Sequence, residues 1–476
     1  MQRPQDQGLF MTVKPELKNN TGESSNFTLR HFLVVVSTFL LVSISMKLIG
    51  QFVGGWHKIF FGPLSFILLL GYHNYREMPT YLCAVFIGFV LAANVISVYC
   101  VVNIIQSNFI KPHVWDFLPF YLNGQVAAKG LNFYHHENYQ QIYQLLVTPF
   151  ISTNYGFLQE VLNVGFTYPP PTMFYFFPLG WFDYNKAHLI WCFVNSLIML
   201  VDIFLIWDLF LNENKILGLA LSLPLLLLLP ATIETIHFEQ TNFIVLLTLL
   251  LLWRDREHAR AGIWVAIGIF TKPIMAVFLV DILIRRKWRA MYVAIITLSI
   301  LSLLAIMVFG SPTFFAYFTE NPSSKLPIFV YNESVNQSLL ATILRLTNYP
   351  FDGMSPLSHP IFISLGALVA GITWWLVYRL DTLQSDWALA LTMSLGLLIY
   401  PGTLSHYSTL LIVPILFLYA CRQQIVGGTW LVVFFIAVIN SAMSRHAFIS
   451  NALIWLALAS ICFWKLKALS FHHKPT

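Results

Sequence analysis

The sequence predicts an all-α polytopic membrane protein, and three observations carry that prediction. Hydrophobic residues fill 57% of the 476 positions and charged residues 10%, against about 25% charge in soluble domains. Mean hydropathy is +0.70. The apolar residues come in long runs, with the charges gathered in short clusters between them. The net charge of +6 therefore reads as membrane topology and supplies no nucleic-acid surface.

Residues 1–30 are polar, include NNTGESSN and show no periodic apolar face, so they form a cytoplasmic, disordered tail. The run 31–51 starts too far in and lacks a small-residue cleavage site, which makes it an anchor rather than a signal peptide. With 58–72 it forms an additional N-terminal helix pair, 31–72. The region 79–465 follows with apolar segments at 79–106, 187–210, 215–230, 240–253, 261–271, 273–285, 289–309, 360–379, 386–400, 407–421, 427–443 and 447–465. About 12–14 transmembrane segments result, the short 261–271 and 273–285 being readable as two arms of one hairpin. Residues 466–476 are a second cytoplasmic tail.

Basic residues test this order. With a cytoplasmic amino terminus, eighteen of them, including Arg254, Arg256, Arg260, Arg285, Arg286 and Lys287, crowd into cytoplasmic loops and tails, while seven, including Lys111, Lys129 and Arg345, fall opposite. That is the positive-inside pattern, and it places both termini in the cytoplasm and the long loops 107–186 and 311–359 outside. Sequons stand at Asn20, Asn26, Asn332 and Asn336, the first two on the wrong side for modification. Phe117, Phe120, Phe133, Phe150, Phe157 and Phe166 alternate with polar residues in the first loop, which predicts short amphipathic helices at the membrane interface. Cys83, Cys100, Cys192, Cys421 and Cys462 lie in or beside apolar runs without CxxC spacing, so they read as buried thiols, with no disulfide framework and no cysteine metal site.

Six polar groups sit where they are costly. Asp116, in KPHVWDFLPFYLNG, is either a general base at headgroup level or the N-cap of a helix starting at Phe117. TYPPPTMFYFFPLGWFDY predicts an extended, proline-stiffened element whose aromatics are either a sugar-stacking wall or plain surface. In ETIHFEQTNF, His237, Glu239, Gln240 and Asn242 crowd one short turn, either to hold a hydroxylated or phosphate ligand or simply solvated. No HxxxH and no second carboxylate at helical spacing is present there, so no metal site is expected. Lys272 lies mid-run before Pro273, where the chain must turn; it either meets a phosphate or snorkels to water. Asn336, Gln337 and Arg345 follow in NESVNQSLLATILRLTN; Gln337 and Arg345 are two helical turns apart and could share a groove, or belong to a surface helix. His406, in YPGTLSHYSTLL, is a proton-transfer group or a cap.

Taken in order, these elements resemble a known family. The aspartate after the helix that precedes the long external loop, GLNFY, the YPP element, the Q-x-N turn, GI…KP with its basic cluster, NQS-L with a downstream arginine and the late P…H turn span about 79–430. The chain is similar to polyprenyl-phosphate-dependent membrane glycosyltransferases of the C-type (GT-C) superfamily, specifically glycosyltransferase family 87, with its bacterial mannosyl- and arabinofuranosyltransferases. The resemblance implies a GT-C fold over 79–465, with Asp116 as general base and His406 near the donor phosphate. It implies that Lys272 and Arg345 neutralise that phosphate, and that Tyr168, His237, Glu239, Gln240, Asn242, Asn336 and Gln337 line the sugar and acceptor site. The turn departs from the family's simpler Gly-Gln-x-Asn by reading HFEQTN, which leaves Glu239 without a role, and the extra helix pair has none either.

The implied reaction transfers a hexose such as mannose, with inversion, from a polyprenyl-phosphate donor to a hydroxyl of a lipid-linked or glycan acceptor. It would take place on the external side of a bacterial cytoplasmic membrane, without a metal or other cofactor. A transporter of an anionic or lipid-linked solute, and another lipid-linked-glycan polymerase or ligase, are the rival readings.

Overall fold

A computed structural model of the chain describes residues 29–52, 57–110, 117–135, 137–138, 166–320, 335–348, 356–380, 385–421 and 447–472. Seventeen α-helices organise them: α1 Leu29–Phe52, α2 His57–Asn74, α3 Thr80–Ile110, α4 Phe117–Ala128, α5 Tyr184–Phe210, α6 Lys215–Leu227, α7 Pro230–His237, α8 Asn242–Arg254, α9 Ala261–Thr271, α10 Val277–Ile284, α11 Trp288–Phe309, α12 Ser311–Thr319, α13 Leu339–Thr347, α14 Pro360–Arg379, α15 Ser385–Ile399, α16 Ile412–Ala420 and α17 Ala447–His472. Among the described residues there is no sheet, only one isolated bridge between Asn336 and Leu404.

The protein is a polytopic helical membrane protein. α3, α5, α11 and α14 are long and apolar enough to cross a membrane, and α6 with α7, bent by 65°, can count as a fifth span. The bend has a local cause, since Pro224 interrupts α6 and Pro230 opens α7. α5 and α11 expose rows of large apolar side chains, among them Phe193, Leu197, Phe204, Ile296, Leu303 and Met307, as lipid-facing helices do. Against the 12–14 segments expected from hydropathy, four or five are long and apolar enough among the described residues, and α1 and α17, of 24 and 26 residues, have the length for two more. Other apolar runs fold into helices of 10–17 residues, such as α8, α9 and α15, short of the ~20 residues that one crossing needs. The expected segment 427–443 lies outside the described residues.

Two apolar cores result. The larger is built on α5, α6, α8, α15 and α16. The smaller joins α4, Phe133, Phe166, Met173 and Phe176 to Trp191 of α5 and Ile244 of α8. Nine residues of α4 are buried, Asn123 and Gly124 among them, so this helix is the centre of an aromatic cap and not the amphipathic interfacial helix expected. Burial on every face is what makes it a core element. Phe150 and Phe157 lie outside the described residues.

Caps fix the frame. Asp183 accepts from the Lys186 amide at the start of α5, and Asn214 from Leu217 at the start of α6, each such cap being worth about 1 kcal/mol. Hydrogen bonds from the Lys186 side chain and amide hold the Asp183 carboxyl below its usual range. At the far end of α8, Arg256 pairs with Asp386, Lys287 with Glu257, and Arg254 and Arg260 with Asp255. These ties bind three loops into one charged end, opposite the end where Asn242 starts α8.

Candidate functional site

Four segments converge at the amino end of α8. Lys272, the residue after α9, has extended backbone (φ −150°, ψ 125°), and Pro273 starts a short 3-10 turn behind it. The break delivers the lysine side chain into the core at 0% exposure. Its Nζ donates to Gln240 Oε1 at 3.1 Å and to Asn242 Oδ1 at 2.7 Å, and lies 3.9 Å from the Tyr407 ring centroid. Two amide dipoles and an aromatic face thus stabilise the ammonium.

Asn242 ties this lysine to the His406 segment. Its Nδ2 donates to the His406 carbonyl at 3.0 Å and to Thr235 Oγ1 at 3.0 Å, while Thr409 Oγ1 donates to the same carbonyl at 3.0 Å. His406 itself is buried in the 3-10 helix Ser405–Leu411, its ring 6.1 Å from Phe238. It stands in the loop between α15 and α16, where burial and then the Lys272 ammonium hold its imidazole well below the usual value. It is neutral at pH 7 and can accept a proton or a hydrogen bond.

The NQS element docks on the same loop. Asn336 Nδ2 and Ser338 Oγ donate to the Pro401 carbonyl at 2.9 and 3.1 Å, Gln337 N donates to the Thr403 carbonyl at 2.7 Å, and Ser408 Oγ donates to Gln337 Oε1 at 2.8 Å. Ser338 then caps α13 by accepting from the Ala341 amide. Gln337 therefore precedes the helix, and the two unbroken helical turns expected between it and Arg345 are not formed. Arg345 is half-buried on α13 and donates to Thr342 Oγ1 at 3.3 Å.

The proline element forms the adjoining wall. Only Pro169 is extended; Pro170 and Pro171 open a 3-10 helix instead of the stiff extended segment expected, because their missing amides cost nothing in a first turn. From that helix Thr172 Oγ1 donates to the Phe270 carbonyl, and the Tyr175 and Thr271 hydroxyls meet at 2.9 Å. The wall is thereby fastened to the last turn of α9, directly before Lys272. Tyr168 packs on Phe120 at 5.4 Å and accepts from Tyr134 Oη through its carbonyl at 2.6 Å.

The HFEQTN turn faces two ways. Gln240 and Asn242 serve Lys272, whereas Glu239, at a left-handed φ of 56°, turns its carboxylate to His188 Nε2 of α5. His237, the last residue of α7, packs against Phe238. Cys192 Sγ lies 3.6 Å from His188 Nε2 and 3.9 Å from Glu239 Oε1. His188, Cys192 and Glu239 form a set of candidate metal ligands whose ligating atoms all lie within 4.8 Å of one another. This overturns the expectation of metal independence, and of cysteines without metal-ligand character. His188 and Cys192 keep the i,i+4 spacing of an HxxxH pair with cysteine in the second place, and their third member sits on another element.

Sequence reasoning also missed Tyr407, Thr235 and Asn108. A signal for part of this existed: His188, Cys192, Asn195 and Asp202 recur along α5 at spacings that share one helical face in an otherwise apolar run. Asp116 lies outside the described residues. Phe117, which follows it in the chain, sets its ring 5.4 Å from that of His188.

Residues 166–401 match the model of Glycosyltransferase family 87. That stretch contains Tyr168, His188, the HFEQTN turn, Lys272 and the NQS element, and leaves Asp116 and His406 outside. Neither the curated proteins nor the solved structures give a match to the chain.

Proposed function

We propose that this family 87 glycosyltransferase moves one sugar, a hexose such as mannose, from a polyprenyl-phosphate donor to a hydroxyl of a lipid-linked or glycan acceptor, with inversion. The match over 166–401 supports sugar transfer and removes the transporter from contention. The external site in a bacterial cytoplasmic membrane and the cytoplasmic termini rest on the basic-residue asymmetry, the GT-C fold rests on the family match, and all of these belong to the same reading. So does its division into the N-terminal pair 31–72 and a catalytic region 79–465.

One observation carries the assignment of the donor: Lys272, fully buried, sits where the proline wall, the HFEQTN turn and the His406 loop meet. Amide oxygens and a ring face offer this ammonium partial charges, and a lipid phosphate offers a full one. As the acceptor hydroxyl attacks the anomeric carbon, Asp116 takes its proton and the bond to the phosphate oxygen breaks. The electron pair stays on the polyprenyl phosphate, which Lys272 and Arg345 stabilise. An anionic lipid phosphate leaves without a general acid, so neutral His406 serves as a hydrogen-bonding group beside it. Gln240, Asn242, Asn336 and Gln337 hold the sugar and phosphate oxygens, with Tyr168 and His237 around the acceptor side.

Purified protein supplied with a short-chain polyprenyl-phosphate hexose and a hydroxylated glycolipid should yield a product one hexose heavier, of inverted anomeric configuration. Retention of configuration would contradict direct displacement. Transfer from a nucleotide sugar and none from the polyprenyl phosphate would overturn the donor class.

A further inference from the structure

A cavity of about 20 Å³ lies between α3, α5 and the α7–α8 turn, lined among others by Asn108, Cys192, Asn195 and Glu239. Its size suits one water molecule or one ion. Its lining is rich in electron-pair donors. Asn108 Nδ2 donates to the His237 carbonyl at 3.3 Å and to Glu239 Oε1 at 3.1 Å, and Asn195 Nδ2 donates to the Gln240 carbonyl at 3.1 Å. These acceptors fix which end of each amide is nitrogen. Both Oδ1 atoms are buried and have no hydrogen-bond partner. Two orphaned acceptors call for a hydrogen-bond donor or a cation, and the carboxylate, imidazole nitrogen and sulfur gathered beside them are a donor set that a cation takes.

We propose that His188, Cys192 and Glu239 bind one divalent transition-metal ion of the zinc class, with an amide oxygen of Asn108 or Asn195 as the fourth ligand. The mixed N, S, O donor set is of the kind zinc takes, whereas magnesium and calcium want oxygen alone. Bond lengths of about 2.0–2.3 Å in a tetrahedron put ligand atoms about 3.3–3.8 Å apart. The His188–Cys192 and Cys192–Glu239 separations, 3.6 and 3.9 Å, are already close to that; the direct His188–Glu239 contact opens to admit the ion. Binding displaces the thiol proton to solvent, so a doubly charged ion meets one thiolate, one carboxylate and a neutral imidazole. The site is then electrically neutral, as a buried site should be.

The ion would tie α5 to the α7–α8 turn and hold Glu239 in its left-handed conformation, one residue before Gln240 reaches Lys272. The role is structural, and it stands whichever sugar donor the protein uses. Protein purified in detergent and washed with a weak chelator should carry about one zinc per chain by mass spectrometry. After stripping, Co²⁺ should restore a thiolate-to-cobalt absorption band, and Cys192→Ser should abolish that band while the protein still elutes as a folded species. Wild-type protein that holds no metal and gives no cobalt band overturns the site, and so does a band that survives in C192S. His188→Ala should lower the zinc content at least tenfold; if it fails to fold, the wild-type cobalt band alone decides.

Discussion

Lys272 Nζ lies 2.7 Å from Asn242 Oδ1, and the other end of that amide holds the His406 carbonyl. One short side chain thereby fixes the buried cation against the loop that carries His406. Asn242 is the first residue of α8, so the geometry at Lys272 is set by where that helix starts.

Asn242→Asp is the sharpest probe of this arrangement. The substitution keeps the size, places a carboxylate against the ammonium as an internal anion that competes with any phosphate, and replaces the donor that holds the His406 carbonyl with an oxygen. The protein should fold, and donor use should fall by one to two orders of magnitude, chiefly in donor KM. Asn242→Leu instead takes one acceptor from the ammonium, which keeps Gln240, and one donor from the His406 carbonyl, which keeps Thr409, and should lower the melting temperature by the loss of two hydrogen bonds, about 0.5–1.5 kcal/mol each. An N242D enzyme with normal donor KM would disconnect Lys272 from the phosphate.

Lys272→Met should cost ten- to a hundredfold in donor use, because charge-assisted hydrogen bonds contribute about 1.5–3 kcal/mol and 1.4 kcal/mol is about a factor of ten. Arg345→Gln should act in the same direction. If both cations serve one phosphate, the double variant loses less than the product of the single losses. Full additivity in transfer assays would place Arg345 elsewhere.

How much of this was legible in the sequence depended on punctuation. The expected segments 261–271 and 360–379 coincide with α9 and α14, because Pro273 follows the break at Lys272 and Pro360 starts its helix. Gln240, Asn242, Lys272 and His406 stood out as polar residues in apolar surroundings, and the fold brings them into one network. His188 and Cys192 did not stand out, since each alone looks like a satisfied core residue and their meaning depends on Glu239, a long-range partner. The all-round burial of α4 was hidden for the same reason: alternation of aromatic and polar residues describes a helix, and only the packing of Phe176 and Trp191 against it says that no face is left for the interface.

Asp116→Asn should abolish transfer while leaving melting temperature and donor binding near normal, because the amide keeps the shape and loses the basicity. Near-normal turnover in D116N would remove Asp116 as the base and direct attention to the neutral His406 imidazole.

The aromatic cap rests on a glycine pair. A Cβ on Gly180 would meet the Gly124 carbonyl oxygen at 2.3 Å, and one on Gly124 would meet the Phe176 carbonyl oxygen at 2.4 Å. Both obstacles are backbone, so α4 and the Phe177–Trp181 turn would have to separate. Gly180→Ala should cost about 1–3 kcal/mol, as overpacking does, and should be visible as a lower melting temperature. An unchanged melt would mean that α4 can shift without loss.

The two ends of α8 make the orientation testable. At one end Asn242 meets Lys272; at the other Arg254 pairs with Asp255 beside the exposed His258. The thirteen residues of α8 make about 20 Å of helix, and the basic loops gather at the Arg254 end. The positive-inside rule then puts that end in the cytoplasm, and Lys129, exposed just after α4, on the other side with the proposed site. In intact cells a membrane-impermeant thiol reagent should label Lys129→Cys and should reach His258→Cys only after permeabilisation. The reverse pattern would turn the molecule over, bring the Lys272 network to the cytoplasmic face, and make a nucleotide-activated donor chemically accessible to it. Equal labelling of both sites in sealed cells would contradict the placement of Lys129 and His258 on opposite sides of the membrane.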